Sequence, residues 1–383
     1  MDIAKINIWF KNYISKNVFL STPRSLKNLS VVIFSFKRPE CIIKSSAFWA
    51  KKLPKIIIVD GSQKILNKTS RKIIKNIHNI SYFHLPKRTI PERIKFGINK
   101  SKTKFTMCQG DDDFYLSSGL TESIKTLERK KNILACMGQS LGLDFVNKQP
   151  YLFEYGNNLK NYNIKSKKFS NRLNYAFKNF LSANFYAVYR TKDFKKLWKN
   201  IKNLSCQELY EYEHAFRTYL EGSLVTTKKR YWVRSFSNKP KSGKIDGSRK
   251  LTASKWLMTK KFNSEKNTLI NRLTKAVLKK KFYDKKKSKK FTNYIINLIK
   301  DNKKSLYQNN SFIFYFFISI KNILEKSFFS QSFNMIKKTK FGIFLIEKLN
   351  YLSRNKINIS KSFNKIERDE IKKLMEFLKD CPS

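Results

Sequence analysis

Between residues 30 and 141, short runs of β-branched and aliphatic residues alternate with amphipathic segments, and nothing else in the chain limits its fold as strongly. The runs SVVIFSF (30–36), KIIIVDGS (55–62), ISYFHL (80–85), KFTMCQG (104–110) and ILACMGQSL (133–141) are nearly continuous in apolar residues. That pattern belongs to strands buried on both faces. Helical spacing fills the intervals at 37–54, 70–79, 91–102 and 117–130. Strands alternating with helices predict an α/β fold with a mostly parallel sheet covered on both sides. Ligands of such sheets gather at the carboxyl ends of the strands, so the residues at those ends matter most.

Two of those ends are acidic. KIIIVDGS ends on Asp60, and KFTMCQG runs into Asp111, Asp112 and Asp113. Adjacent carboxylates repel one another and call for a shared cation. A hard divalent ion such as Mn2+ or Mg2+, held by one or two carboxylates and by phosphate oxygens of a substrate, is the usual arrangement for phosphate chemistry. The rest of the chain points to an anionic partner as well, with 81 Lys and Arg against 27 Asp and Glu and a net charge of +54. Lys, Asn, Ile and Phe all have codons rich in A and T, so base composition explains part of that excess.

The stretch LSVVIFSFKRPECIIKSS (29–46) resembles the opening strand and helix of family 2-like GT-A glycosyltransferases, where Phe36, Lys37, Arg38, Pro39 and Glu40 match the family's Tyr-Asn-Arg-Pro-Glu. KIIIVDGS resembles its second strand, with Asp60 at the position that contacts the nucleotide base. PERIKFGINKSKTKFTMCQGDDDF (91–114) is similar to its Arg-bearing helix, strand and D-x-D motif. By that resemblance Arg93 lies near a diphosphate, while Asp111 and Asp113 are the D-x-D carboxylates that meet the ribose and the metal. Three aspartates in a row leave the register open, and Asp112 can stand for either. The implied fold is GT-A, Rossmann-like, with a nucleotide-diphospho-sugar donor, a glycan or lipid-linked acceptor and inversion at the sugar.

Inverting transfer needs a base for the acceptor hydroxyl. The densest acidic cluster after 145 in the expected catalytic part is CQELYEYEHAF (206–216), where Glu208 and Glu211 share a helical face. Glu211 and Glu208 are the candidates, with Glu213 third. In KKRYWVRSF (228–236), a place where the resemblance implies closure over the diphosphate, Trp232 is a candidate to stack a sugar, and Arg230 or Arg234 to bind phosphate.

Three parts are expected: a basic arm (1–28) with apolar residues at helical spacing, a GT-A domain (29–240) and a basic, mainly helical region (241–383). ANFYAVYR (183–190) reads as a strand and 237–250 as a linker. FIFYFFISI (312–320) is about half of the ~20 residues that cross a bilayer. The opening residues lack the apolar core of a secretory signal. The five cysteines show no C-x-x-C pair and there are three histidines, which argues against a zinc cluster. The expectation is a cytoplasmic enzyme with peripheral contact to the inner face of the membrane. A nucleic-acid-binding protein without catalysis is the alternative from another class. It lacks a recognisable module, and the aspartates would repel phosphates unless a metal intervened.

Overall fold

The computed structural model describes residues 3–15, 23–146, 149–156, 159, 162–236, 251–301, 357 and 362–382. Nine strands among them form one mixed sheet: β1 (Leu29–Ser35), β2 (Lys55–Asp60), β3 (Ile80–His84), β4 (Phe105–Gly110), β5 (Phe114–Tyr115), β6 (Ile133–Val146), β7 (Gln149–Glu154), β8 (Val188–Arg190) and β9 (Ser223–Ser235). Their order is β3-β2-β1-β4-β8-β6-β9-β5, with β7 paired to β6. β1 to β4 are parallel to one another, as are β6 and β9, while β8 runs antiparallel between β4 and β6. The expected α/β class, mostly parallel and followed by a helical C-terminal part, is borne out.

The order β3-β2-β1-β4 has a consequence for function. From β1 the chain builds outward first to one side and later returns to the other, leaving a crevice beside the end of β1 where ligands bind in open α/β sheets. Helices α1 (Ile3–Ser15), α2 (Pro39–Trp49), α3 (Lys68–Lys75), α4 (Ile90–Lys100) and α5 (Ser117–Arg129) accompany this half. Proline opens α2 in its first turn, where the missing N–H costs nothing. At the start of α4, Glu92 accepts from both the N–H and the hydroxyl of Thr89, at 2.8 Å each. Gly97 lets α4 lie close against β1, because a Cβ there would meet Val32 Cγ1 at 2.4 Å.

Next come α6 (Phe169–Lys178), α7 (Thr191–Trp198) and α8 (Glu208–Glu221), then α9 (Ala253–Met258), α10 (Asn263–Leu278), α11 (Lys285–Asp301) and α12 (Lys365–Asp380). The segment expected as a strand at 183–190 is instead a 3-10 turn, Ser182–Tyr186, followed by three residues of β8. The Tyr189 hydroxyl donates to Asn184 O at 2.8 Å and holds the turn folded back. Phe185 then packs on Phe34 and Tyr186 on Trp232, which fixes the two rings in different places. The segment 223–236, expected as one or two strands, forms a single strand, Ser223–Ser235, against β6 with register shifts after Ile133, Met137 and Gln139.

The expected N-terminal arm is helical from Ile3 and buries Ile6 and Phe10. It meets the last helix, since Trp9 and Tyr13 both contact Phe377, which also touches Phe48 and Phe114. On the same helix Glu370 accepts from the Ser118 N–H (3.0 Å) and hydroxyl (2.7 Å), satisfying donors at the start of α5. Among the described residues no helix is long and apolar enough to cross a membrane. The 312–320 run and the expected linker at 237–250 lie outside the described residues.

Candidate active site

Strand register brings the predicted acids together. Ser35, the last residue of β1, is paired with Asp60 at the end of β2, and Phe34 with Gly110 at the end of β4. Asp60, Ser35 and Asp111 therefore stand side by side along one carboxyl edge. The Ser35 hydroxyl donates to Asp111 Oδ2 at 2.5 Å.

The aspartate turn is held from beneath. Ser45 on α2 donates to the Asp111 carbonyl at 2.6 Å. The Gln109 amide donates to the Asp113 carbonyl at 2.9 Å and accepts from Trp49 Nε1 at 3.1 Å. With the backbone fixed, the three side chains have little freedom to move apart. Arg38 bridges two of them, Nη1 lying 2.9 Å from Asp111 Oδ1 and Nη2 2.5 Å from Asp112 Oδ2. Burial works against the charge on Arg38, yet Asp111 and Asp112 raise its pKa well above the usual value. Arg234 on β9 lies near enough to favour the charged form of Asp113, and the Ser235 N–H donates to Asp113 Oδ1 at 3.2 Å.

These cations do not neutralise the cluster. Burial and the neighbouring Asp112 push Asp111 up to about 7 although Arg38 opposes the shift. Asp113 is pushed to about 7 by burial and by Asp112, against Arg234. Gly110 preserves a cradle between the last two acids, because a Cβ there would sit 3.0 Å from Asp113 Oδ2 and 3.4 Å from Asp112 Oδ1. Oxygen donors, a shortage of positive charge and this shared space fit a hard divalent cation. Among the described residues no group of three or more His, Cys, Asp and Glu is arranged to hold a metal by itself. Further ligands would have to come from phosphate and water, as is usual for Mg2+.

On the other side of Ser35, the DGS turn is clamped. Asp60 Oδ1 accepts from the Ser62 N–H (2.9 Å) and hydroxyl (2.5 Å), and Oδ2 accepts from Tyr82 OH at 2.7 Å. Arg93 lies over Gly61, and its Nη1 donates to the Ser35 carbonyl at 2.5 Å. Burial lowers its pKa while Asp60, Tyr210 and Asp111 act in the other direction. The half-buried ring of Phe36 has the Arg93 guanidinium 5.6 Å and Lys37 Nζ 5.7 Å from its centroid. Phe36, Arg38, Asp60, Arg93 and the three aspartates thus share one edge.

Helix α8 borders this edge. Tyr186 has its pKa raised by burial and then by Asp113 and Glu211, so Glu211 and the aspartate turn both act on one ring. Glu211 is half-buried and Glu208 exposed. Glu208 Oε2 accepts from the Ala253 N–H at 2.9 Å at the start of α9. Glu213 is turned away from the role of base: its oxygens are paired with Arg217 (2.7 Å) and Arg272 (2.5 Å), and it is buried. Arg230 is held by Gln139 (2.8 Å) and Glu154 (3.3 Å), whereas Arg234, which donates to the Tyr155 hydroxyl, lies near Asp113. Trp232, a candidate to stack a sugar, is instead buried at 4% exposure, with Tyr186 stacked on it at 4.7 Å between centroids and Tyr155 against its edge. Ser35, Ser45, Tyr82 and Tyr186 carry no sequence signal of their own, since each acquires its role from a partner distant in the chain.

No protein-family model matches the sequence, and no curated protein matches it. Solved structures similar to this one include S. aureus TarS 1-349, with a TM-score of 0.46 at 10% identity over 92% of this chain and 89% of that one. TarS 1-349 in complex with UDP-GlcNAc gives 0.44 at 11% identity, with the same coverage of both chains. A longer TarS structure gives 0.42 at 10% identity over 92% of this chain and 54% of that one.

Proposed function

We propose that the chain is a metal-dependent GT-A glycosyltransferase that moves a sugar from a nucleotide-diphosphate donor to a hydroxyl of a glycan or lipid-linked acceptor, with inversion, in surface polysaccharide or glycoconjugate synthesis. One observation carries this reading: Ser35, paired in register with Asp60, donates its hydroxyl to Asp111 just past the end of β4, at the crevice beside β1, with cations on either side. An acid for a nucleobase, arginines for a diphosphate and an acidic cradle for a cation follow one another along that edge.

In this reading the nucleobase lies against Phe36, beside the turn that buried Asp60 clamps through Ser62 and Tyr82. Arg93 and Arg234 approach the diphosphate from opposite sides of the aspartate turn. Mn2+ or Mg2+, held by Asp113 with Asp111 or Asp112, would supply charge neutralisation on the diphosphate leaving group. Glu211 takes the proton from the acceptor hydroxyl as its oxygen forms the bond to the anomeric carbon. The bond from that carbon to the diphosphate oxygen breaks, and its electron pair leaves with the diphosphate.

A thermal-shift series with UDP- and GDP-sugars, with and without Mn2+, tests the donor. Glu211→Gln should lower turnover by about a hundredfold or more with donor binding intact, and Glu208→Gln should have the smaller effect. Equal turnover of Glu211→Gln and the parent chain would remove Glu211 from the mechanism.

A further inference from the structure

We propose that the turn between α10 and α11, together with the start of α6, is a docking surface for an anionic lipid bilayer. The surface is independent of the chemistry proposed above. At the tip of the turn Phe282 is 76% exposed, with Leu278 beside it at 37%. The tip is anchored, because Phe169 contacts Phe282, Tyr283 and Phe291 at 5.9, 5.4 and 5.8 Å between centroids. Phe282 is thus presented outward from a packed aromatic base.

Cations surround it from two parts of the chain. Exposed Lys279 and Lys281 precede the ring and exposed Lys285–Lys287 follow it, while exposed Lys167 and Lys168 lead into Phe169. The acid within 271–290 is Asp284, and its Oδ1 accepts the Lys287 N–H at 2.7 Å as the opening of α11. Lys281 takes the left-handed conformation at φ 58°, a place where helix ends favour glycine. The turn therefore carries a charge where glycine would be easier.

An apolar tip ringed by lysines matches the boundary between headgroups and acyl chains, where the ring enters and the ammonium groups meet lipid phosphates. Single-stranded nucleic acid would instead call for successive aromatic platforms along a groove, and Phe282 is a single projecting ring. Each lysine at an anionic leaflet raises affinity about fivefold, and burial of the phenyl ring adds about tenfold or more.

The test is co-sedimentation of the full chain with vesicles of phosphatidylcholine containing about one third phosphatidylglycerol, against vesicles of phosphatidylcholine alone. Binding to the first and not the second, reversed by salt, is expected. Phe282→Ala should weaken it about tenfold, and the combined Lys285→Gln, Lys286→Gln and Lys287→Gln chain by about a hundredfold, with unchanged circular dichroism. Vesicle binding by both variants at the parent level would overturn the proposal. So would equal binding to the neutral vesicles, or tighter binding to a duplex oligonucleotide that Phe282→Ala leaves unchanged. None of these readings depends on turnover.

Discussion

Arg38 is the counter-ion of Asp111: Nη1 lies 2.9 Å from Oδ1, and both side chains are shielded, at 10% and 5% exposure. The same guanidinium reaches Asp112 at 2.5 Å. One cation thus serves two of three neighbouring acids, which ties the fold of the site to its need for further positive charge.

Arg38→Ala should cost about 3–5 kcal/mol in urea unfolding without divalent ions, the range for removing one partner of a buried pair. Lys at that position keeps a charge but loses the two-pronged geometry, so Arg38→Lys should fall between. Mn2+ should raise the melting temperature of Arg38→Ala more than that of the parent chain.

Asp113→Asn removes a charge that burial and Asp112 already disfavour. Without metal the variant should melt at or above the parent temperature in a thermal scan. With Mn2+ present, the stabilisation that nucleotide diphosphate gives the parent should disappear.

His214 is wholly buried, with Phe185, Tyr189, Phe194 and Trp198 around it. Neither ring nitrogen has a hydrogen-bond partner, and burial lowers its pKa to about 3. The unfolded chain takes up this proton near pH 6.5, whereas the folded chain does so only near pH 3. The resulting stability is full above pH 6.5 and declines as pH falls towards 3. Between pH 7 and 5 the loss from this residue should be about 2 kcal/mol. His214→Phe should flatten that part of the urea-midpoint profile, and equal slopes in both chains would contradict the assignment.

Glu213 joins α8 to α10 through Arg272, at 2.9 Å to Oε1 and 2.5 Å to Oε2. Arg272→Ala leaves Arg217 in place, so it should cost about 1–3 kcal/mol, as for a lost hydrogen bond to a charged group. Glu213→Ala leaves two arginines facing each other and should cost more. Urea unfolding of the two variants gives the ranking.

The frame of the site was legible because its strands are apolar on both faces, so the positions where they end, at Asp60 and Gly110, stand out in the sequence. The partners were not. Ser35 lies 76 residues from Asp111 and Tyr82 lies 22 from Asp60, and only strand register brings each pair together. The 183–190 segment has the composition of a strand, yet Tyr189 bonds back to Asn184 and Tyr186 becomes part of the site. Among the glutamates of α8 the sequence puts Glu211 and Glu208 first and Glu213 third. Arg217 and Arg272 pair both oxygens of Glu213, while exposed Glu208 uses one oxygen to cap Ala253.

The most direct test is calorimetric titration of a nucleotide diphosphate into the full chain with Mn2+, without it, and with Asp113→Asn. Binding that requires both Mn2+ and Asp113 is the predicted result. Equal affinity in all three titrations, or no binding to any nucleotide diphosphate, would contradict a sugar-nucleotide site at the end of β4.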